Sequence, residues 1–179
     1  CDPQRFEIQL EFLEQHPEYS FVSTTMKRFD EDGFYDEPAI GEGYSPTNMS
    51  FVKGSPFCHA PVMIKKEAYD AVDGYRVRPE TLGVEDYDLW FRLYAKGYKG
   101  YVMNELLIKY RMDNVGYKKK KMRDRFIETK MKIKYFKKLG VPVYKYFYAI
   151  KPIIAGLIPK EMMKKYQRRK LCNKKVNSW

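Results

Sequence analysis

Apolar residues first recur at helical spacing in Phe6, Leu10 and Leu13, and Pro17 closes the run. Asp2 stands where an N-cap belongs and Pro3 takes the first helical position, so a helix is expected over this stretch. "SFVSTTM" then reads as a strand from its β-branched and aromatic content. From Lys27 to about Lys53 the chain is acidic, rich in Gly, Pro and Asn, and without a sustained period, which predicts a long loop. Loops of that length in compact domains are uncommon and often functional. Ala60 to Ile64 is a short apolar run that predicts a strand, and Lys65 to Val72 a short helix with Gly74 as its left-handed terminator. "VEDYDLWFRLYAKGY" predicts a helix with Leu89, Trp90, Leu93 and Tyr94 as its apolar stripe and Gly97 as its stop. "KGYVMNELLIKYRM" supplies one or two more short strands.

Alternating strands and helices favour an α/β layer structure, in which ligands bind beyond the carboxyl ends of the strands. After residue 115 the pattern changes. "YKKKKMRDRFIETKMKIKYFKKLG" predicts a helix with Met122, Phe126, Ile133 and Phe136 on one side and basic residues around them. "VPVYKYFYAIKPIIAGLIPKEMMKKYQRRK" follows, aromatic and Lys-rich, with two interior prolines. No stretch reaches the roughly 20 apolar residues that span a bilayer. No internal repeat is seen, and Lys118 to Lys121 is the one low-complexity tract.

Composition narrows the class. With 179 residues, 44% hydrophobic and 16% aromatic, the chain can bury one real core and is neither a disordered tail nor a disulfide miniprotein. Charge divides it: residues 1–115 hold 13 Lys and Arg against 20 Asp and Glu, residues 116–179 hold 21 against 3. An acidic body, residues 1–115, thus joins a basic, mostly helical extension, residues 116–179. Such asymmetry suits a polyanion or an anionic membrane surface, with a solvated Lys-rich helix face as the plainer alternative. Cys1, Cys58 and Cys172 are odd in number, far apart and without metal spacing, so reduced thiols are expected. The chain opens without an initiator Met, inside what looks like a helix, and a preceding segment is expected.

The chemistry gathers at Glu85 and Asp86, adjacent carboxylates in the first turn of the helix that carries Trp90. A helix start favours anions, so capping explains one carboxylate. Two adjoin here, with Asp88 following, and something outside the helix can use the second.

Three segments in order, "CDPQRFEIQLEFLEQHPEYSFV", "HAPVMIKKEAYDAVDGYR" and "EDYDLWFRLYAKGYKGYVMNELLIKYR", resemble the second half of family 2 glycosyltransferases with the GT-A fold, over roughly residues 2–111. The resemblance implies a partial GT-A, Rossmann-like sheet-and-helix domain. It implies that Asp86 is the catalytic base for the acceptor hydroxyl and that Glu85 helps place acceptor or base. His59 falls where relatives carry a polar residue on the acceptor side, a partly buried structural histidine being the competing reading. Tyr110 and Arg111 resemble the family's terminal "YR", whose Arg can face donor phosphates; pairing of Arg111 with an Asp of the loop is the alternative. A divalent cation, Mn²⁺ or Mg²⁺, is expected in the complete enzyme, but its Asp-x-Asp motif would lie just before the "RFE" helix, so no metal ligand is assigned in this chain. The processive members' "QxxRW" is not found, which favours single addition.

Implied partners are a nucleotide-sugar donor, such as a UDP-linked hexose, and a glycan or lipid-linked acceptor, as in polysaccharide biosynthesis. The basic aromatic extension adds peripheral contact with an anionic membrane, at the cytoplasmic face of the plasma membrane. Two other classes stay open: a nucleic-acid-binding module working through the extension, and a non-catalytic remnant.

Overall fold

A computed structural model describes residues 1–30, 33–34, 42–111, 121–159 and 162. Strand β1 (Phe21–Asp30) is the axis of a four-stranded sheet. Along one edge it pairs in parallel with β4 (Gly100–Arg111) from Phe21 to Phe29, with register shifts around Thr25. On the opposite edge it pairs antiparallel with β3 (Met63–Ile64) at its start and with β2 (Gly33–Phe34) at its end. Beyond β4, Tyr44 adds an isolated antiparallel bridge to Val102. Helices α1 (Arg5–Gln15), α2 (Lys66–Ala71) and α3 (Glu85–Ala95) complete a mixed α/β layer fold, a partial Rossmann-like domain.

Phe21, Val22, Ser23 and Thr24 are all buried, so this end of β1 is covered on both faces. Val22 and Met103 meet Leu13 of α1 on one side. On the other, Phe21 stacks on Trp90 with centroids 5.2 Å apart, at the centre of the main cluster. A Cβ at Gly100 would collide with the Phe21 ring, so glycine opens β4 for a packing reason.

Several expectations need correction. Lys27 to Asp30 belong to β1, because the parallel ladder with β4 carries the strand past the point where apolar alternation stops. The stretch expected to be one or two short strands is a single 12-residue strand, β4. In α1 the packed face runs through Ile8, Gln9, Phe12 and Leu13, while Phe6 and Leu10 are exposed. Gln9 is fully buried because its Nε2 donates to the Pro61 carbonyl at 2.6 Å. Asp2 is not the N-cap of α1, which is Gln4; its carboxylate accepts the Gln4 backbone N–H at 2.9 Å.

Downstream, α4 (Met122–Lys138) leads to a 3₁₀ helix (Val143–Ile150) that runs directly into α5 (Lys151–Leu157). Helix α4 buries Thr129, Met131, Lys132, Tyr135 and Phe136, whereas Met122, Phe126 and Ile133 are partly exposed. Tyr135 stacks flat on Phe91 of α3, 4.9 Å between centroids, so the basic segment shares the body's core. Lys118 to Lys120 and Cys172 lie outside the described residues. Neither Cys1 nor Cys58 is in a disulfide.

Candidate active site

Gly83, at φ +74°, turns the chain into α3 through a conformation that side-chain-bearing residues rarely adopt. The loop before it is tied by Thr81, whose Oγ1 accepts the Arg78 backbone N–H at 3.1 Å. Val84, buried, anchors the N-terminus of α3. Three carboxylates then follow within one turn, and the structure gives them different surroundings.

Asp88 points into the core. Its Oδ2 accepts Arg92 Nε at 2.7 Å and its Oδ1 accepts the Tyr135 hydroxyl at 2.9 Å. Arg92 in turn donates to the Gly74 carbonyl at 2.7 Å and to that of Val72, where φ +56° at Gly74 ends the turn after α2. The buried pair therefore ties α3 to the end of α2 and to α4. Burial, followed by the charge of Asp88 and its hydrogen bond, pushes the Tyr135 phenol up to about 12.

Asp86 is only half-buried and its Oδ1 accepts the adjacent Tyr87 backbone N–H at 2.8 Å. It opens onto a cavity of about 380 Å³ shared with Tyr87, Lys53, Arg125, Lys132 and Lys151. Glu85, half-buried, precedes it. Tyr75 lies close enough to both carboxylates that, after burial and Tyr69, their charges help push its phenol up to about 12. Burial, then Glu128 and Asp86, raises the Tyr87 phenol as well.

His59 joins this group through Tyr75: its Nδ1 stands 3.3 Å from the Tyr75 hydroxyl, and the rings meet edge-on at 5.7 Å. It is exposed rather than a partly buried structural histidine. Its backbone is fixed by the preceding Cys58, whose carbonyl accepts the Ser23 hydroxyl at 2.8 Å.

Tyr110 and Arg111 sit at the far end of β4, opposite Arg28 and Phe29, and both are exposed. The Arg111 guanidinium lies 5.6 Å from the centre of the Phe29 ring. Among the described residues neither shares a hydrogen bond, ion pair or ring contact with Glu85 or Asp86. Of the aspartates in the expected loop, one of which is the alternative partner of Arg111, Asp32 and Asp36 lie outside the described residues. Among the described residues no group of three His, Cys, Asp or Glu side chains could hold a metal ion.

Sequence reasoning misses Arg92, Tyr75, Tyr135 and the cavity's lysines. Arg92 is readable in principle, because an acid and an arginine four residues apart on a helix face each other. The cations of α4 and α5 carry no such signal, since only the fold brings them to Asp86.

The fold and site together define an α/β layer protein with a carboxylate-bearing cleft at a helix start. The chain is similar to proteins named as glycosyltransferases. EpsE of Bacillus subtilis is 34% identical over 173 residues, 97% of this chain and 62% of EpsE. The amylovoran biosynthesis glycosyltransferase AmsE of Erwinia amylovora is 28% identical over 111 residues, 62% of this chain and 41% of AmsE. An uncharacterized glycosyltransferase of Haemophilus influenzae is 32% identical over 119 residues, 64% and 42% of the two chains. The chain thus spans about three fifths of EpsE and two fifths of the other two. No protein-family profile matches it.

Proposed function

We propose that this chain is the acceptor-binding, base-bearing part of an inverting, single-addition glycosyltransferase of family 2 with the GT-A fold. It moves a sugar, such as a hexose, from a nucleotide-sugar donor to a glycan or lipid-linked acceptor. The observation that carries the reading is the half-buried Asp86 opening onto its cavity while both carboxylate oxygens of Asp88 are taken by Arg92 and Tyr135. The names of the relatives support it.

In this mechanism Asp86 accepts the proton of the acceptor hydroxyl as that oxygen attacks the anomeric carbon. The bond to the nucleoside diphosphate breaks, its electrons leave with the diphosphate, and the configuration inverts without a covalent intermediate. Glu85 orients the acceptor, with Tyr75 and His59 lining that side. A divalent cation would offset the leaving group's charge. The described residues form no ligand set for it. The test is transfer from a panel of nucleotide sugars by the native-length protein, with the product's anomeric configuration read by NMR. Inversion is expected; retention, or hydrolysis of the donor without transfer, contradicts the reading.

The same reading places the chain peripherally on an anionic bilayer, at its cytoplasmic face. Among the described residues no helix is long and apolar enough to cross a membrane. Instead Tyr144, Phe147, Ile150, Ile154 and Leu157 are all exposed. Their spacing is three, three, four and three, which follows the change from 3₁₀ to α-helix and keeps them on one face. Residues 129–159 contain seven Lys and no Asp or Glu, so the stripe is flanked by positive charge alone.

A further inference from the structure

The cavity beside Asp86 has a wall the body does not supply. Arg125 and Lys132 come from α4 and Lys151 from α5, and they join Lys53, which precedes Gly54 and Ser55 at the rim. Against these four cations stand two carboxylates, Asp86 and Glu128. The volume, about 380 Å³, is that of a small-ligand site.

Two of the cations are held by the fold. The Arg125 guanidinium donates to the Pro152 carbonyl at 2.7 Å, which fixes its fork against α5. Lys132 is 3% exposed, 3.3 Å from Glu128 and 5.3 Å from the centre of the Tyr87 ring. Lysines are rarely buried to that degree unless paired, and this one pairs with Glu128 while lining a cavity that carries five other charged side chains. Lys53 and Lys151 are exposed at the mouth, where Lys151 Nζ donates to the Lys53 carbonyl at 3.4 Å.

We propose that this cavity binds a phosphate-bearing group, with Lys53, Arg125, Lys132 and Lys151 as its cationic wall. Phosphate oxygens suit such a wall because arginine offers a planar fork and lysine a compact point charge. Two carriers share that chemistry: the diphosphate of a nucleotide and the phosphate of an amphiphilic acceptor. The placement favours the second, since α5 turns Lys151 and Ala155 toward the cavity and Ile154 and Leu157 outward along the exposed stripe. An amphiphile lying against the stripe would bring its phosphate to the mouth beside Asp86. The role of that group rests on the glycosyl-transfer reading; its binding does not.

The test is calorimetric titration of the chain with inorganic pyrophosphate. Binding is expected with a Kd below about 1 mM. Lys151→Ala and Lys53→Ala, both surface changes, should each weaken it at least about threefold, and the double variant about tenfold. Asp86→Asn should tighten it by removing a repelling charge. Competition separates the carriers: displacement by a short prenyl diphosphate assigns the site to the acceptor, displacement by UDP alone to the donor. No binding, or binding that ignores Lys151, Lys53 and Asp86, overturns the proposal. If pyrophosphate fails to bind while Asp86→Asn still abolishes transfer, the anion site falls and the base stands. If pyrophosphate binds as expected and Asp86→Asn transfers normally, the reverse holds.

Discussion

The body and the C-terminal helices are both rich in aromatic residues, and the 3₁₀ helix treats several of its own differently from the body. Phe21, Phe51, Trp90 and Phe91 are fully buried, whereas Tyr144 and Phe147 of the 3₁₀ helix stand 72% and 60% exposed. Charge divides the same way, acidic in the first region and basic in the second. The contrast teaches that one region buries most of its apolar surface on folding and the other leaves much of it exposed. Tyr135 is where they meet, stacked on Phe91 and hydrogen-bonded to Asp88.

The largest effect expected of that contrast is on stability. Trp90→Ala should cost about 3–5 kcal/mol in urea unfolding, because it empties the centre of the core. Phe147→Ala should stay within about 0.5 kcal/mol. Comparable losses would mean that Phe147 is core after all.

Vesicle binding inverts the ranking. Phe147→Ser with Ile154→Ser should weaken binding to anionic vesicles roughly 10- to 100-fold and leave the unfolding curve nearly unchanged. Flotation of the double variant equal to the parent, or tighter binding to single-stranded RNA than to anionic vesicles, would remove the membrane from the account.

The joint between the regions should give an intermediate cost. Tyr135→Phe keeps the ring stack and deletes one hydrogen bond to a buried carboxylate, worth about 1.5–3 kcal/mol. A neutral result in chemical denaturation would detach α4 from the α3 network.

The smallest effect is a titration. The Tyr75 phenol, raised from 10.0 to about 12, favours the folded state fully below pH 10 and loses that contribution as pH rises toward 12. Asp86→Asn removes one of the charges that raise it, so the phenol should titrate lower by ¹³C-tyrosine NMR, with the larger part, from burial, remaining. An unmoved Tyr75 would separate it from Asp86.

Much of this fold is legible in residues. Leu89, Trp90, Leu93 and Tyr94 are buried in α3 as their spacing predicts, although everything from Tyr87 to Tyr94 is buried with them, and Gly97 stops α3 at φ +86° while Gly74, at φ +56°, shares the left-handed turn after α2 with Asp73. The full length of β4 is not legible, because Asn104 and Glu105 interrupt its apolar alternation while the parallel ladder continues beyond them. Gln9 outcompetes Leu10 for the interior only because Pro61 offers a carbonyl from 52 residues away. The site divides likewise. The acid pair is a local pattern, and the cations facing it arrive from α4 and α5, which no local spacing reveals.

The central claim is that three carboxylates in one turn do three jobs: Glu85 orients, Asp86 takes the proton, Asp88 holds the core. The direct measurement is kcat and thermal stability of Glu85→Gln, Asp86→Asn and Asp88→Asn in the native-length protein. Asp86→Asn should lose on the order of 10²–10⁴-fold in kcat with its melting temperature and donor affinity nearly unchanged. Glu85→Gln should lose less, and Asp88→Asn should lose mainly stability, by disturbing the Arg92 and Tyr135 contacts. Equal, small kcat losses for Glu85→Gln and Asp86→Asn would return the pair to helix capping and contradict the account.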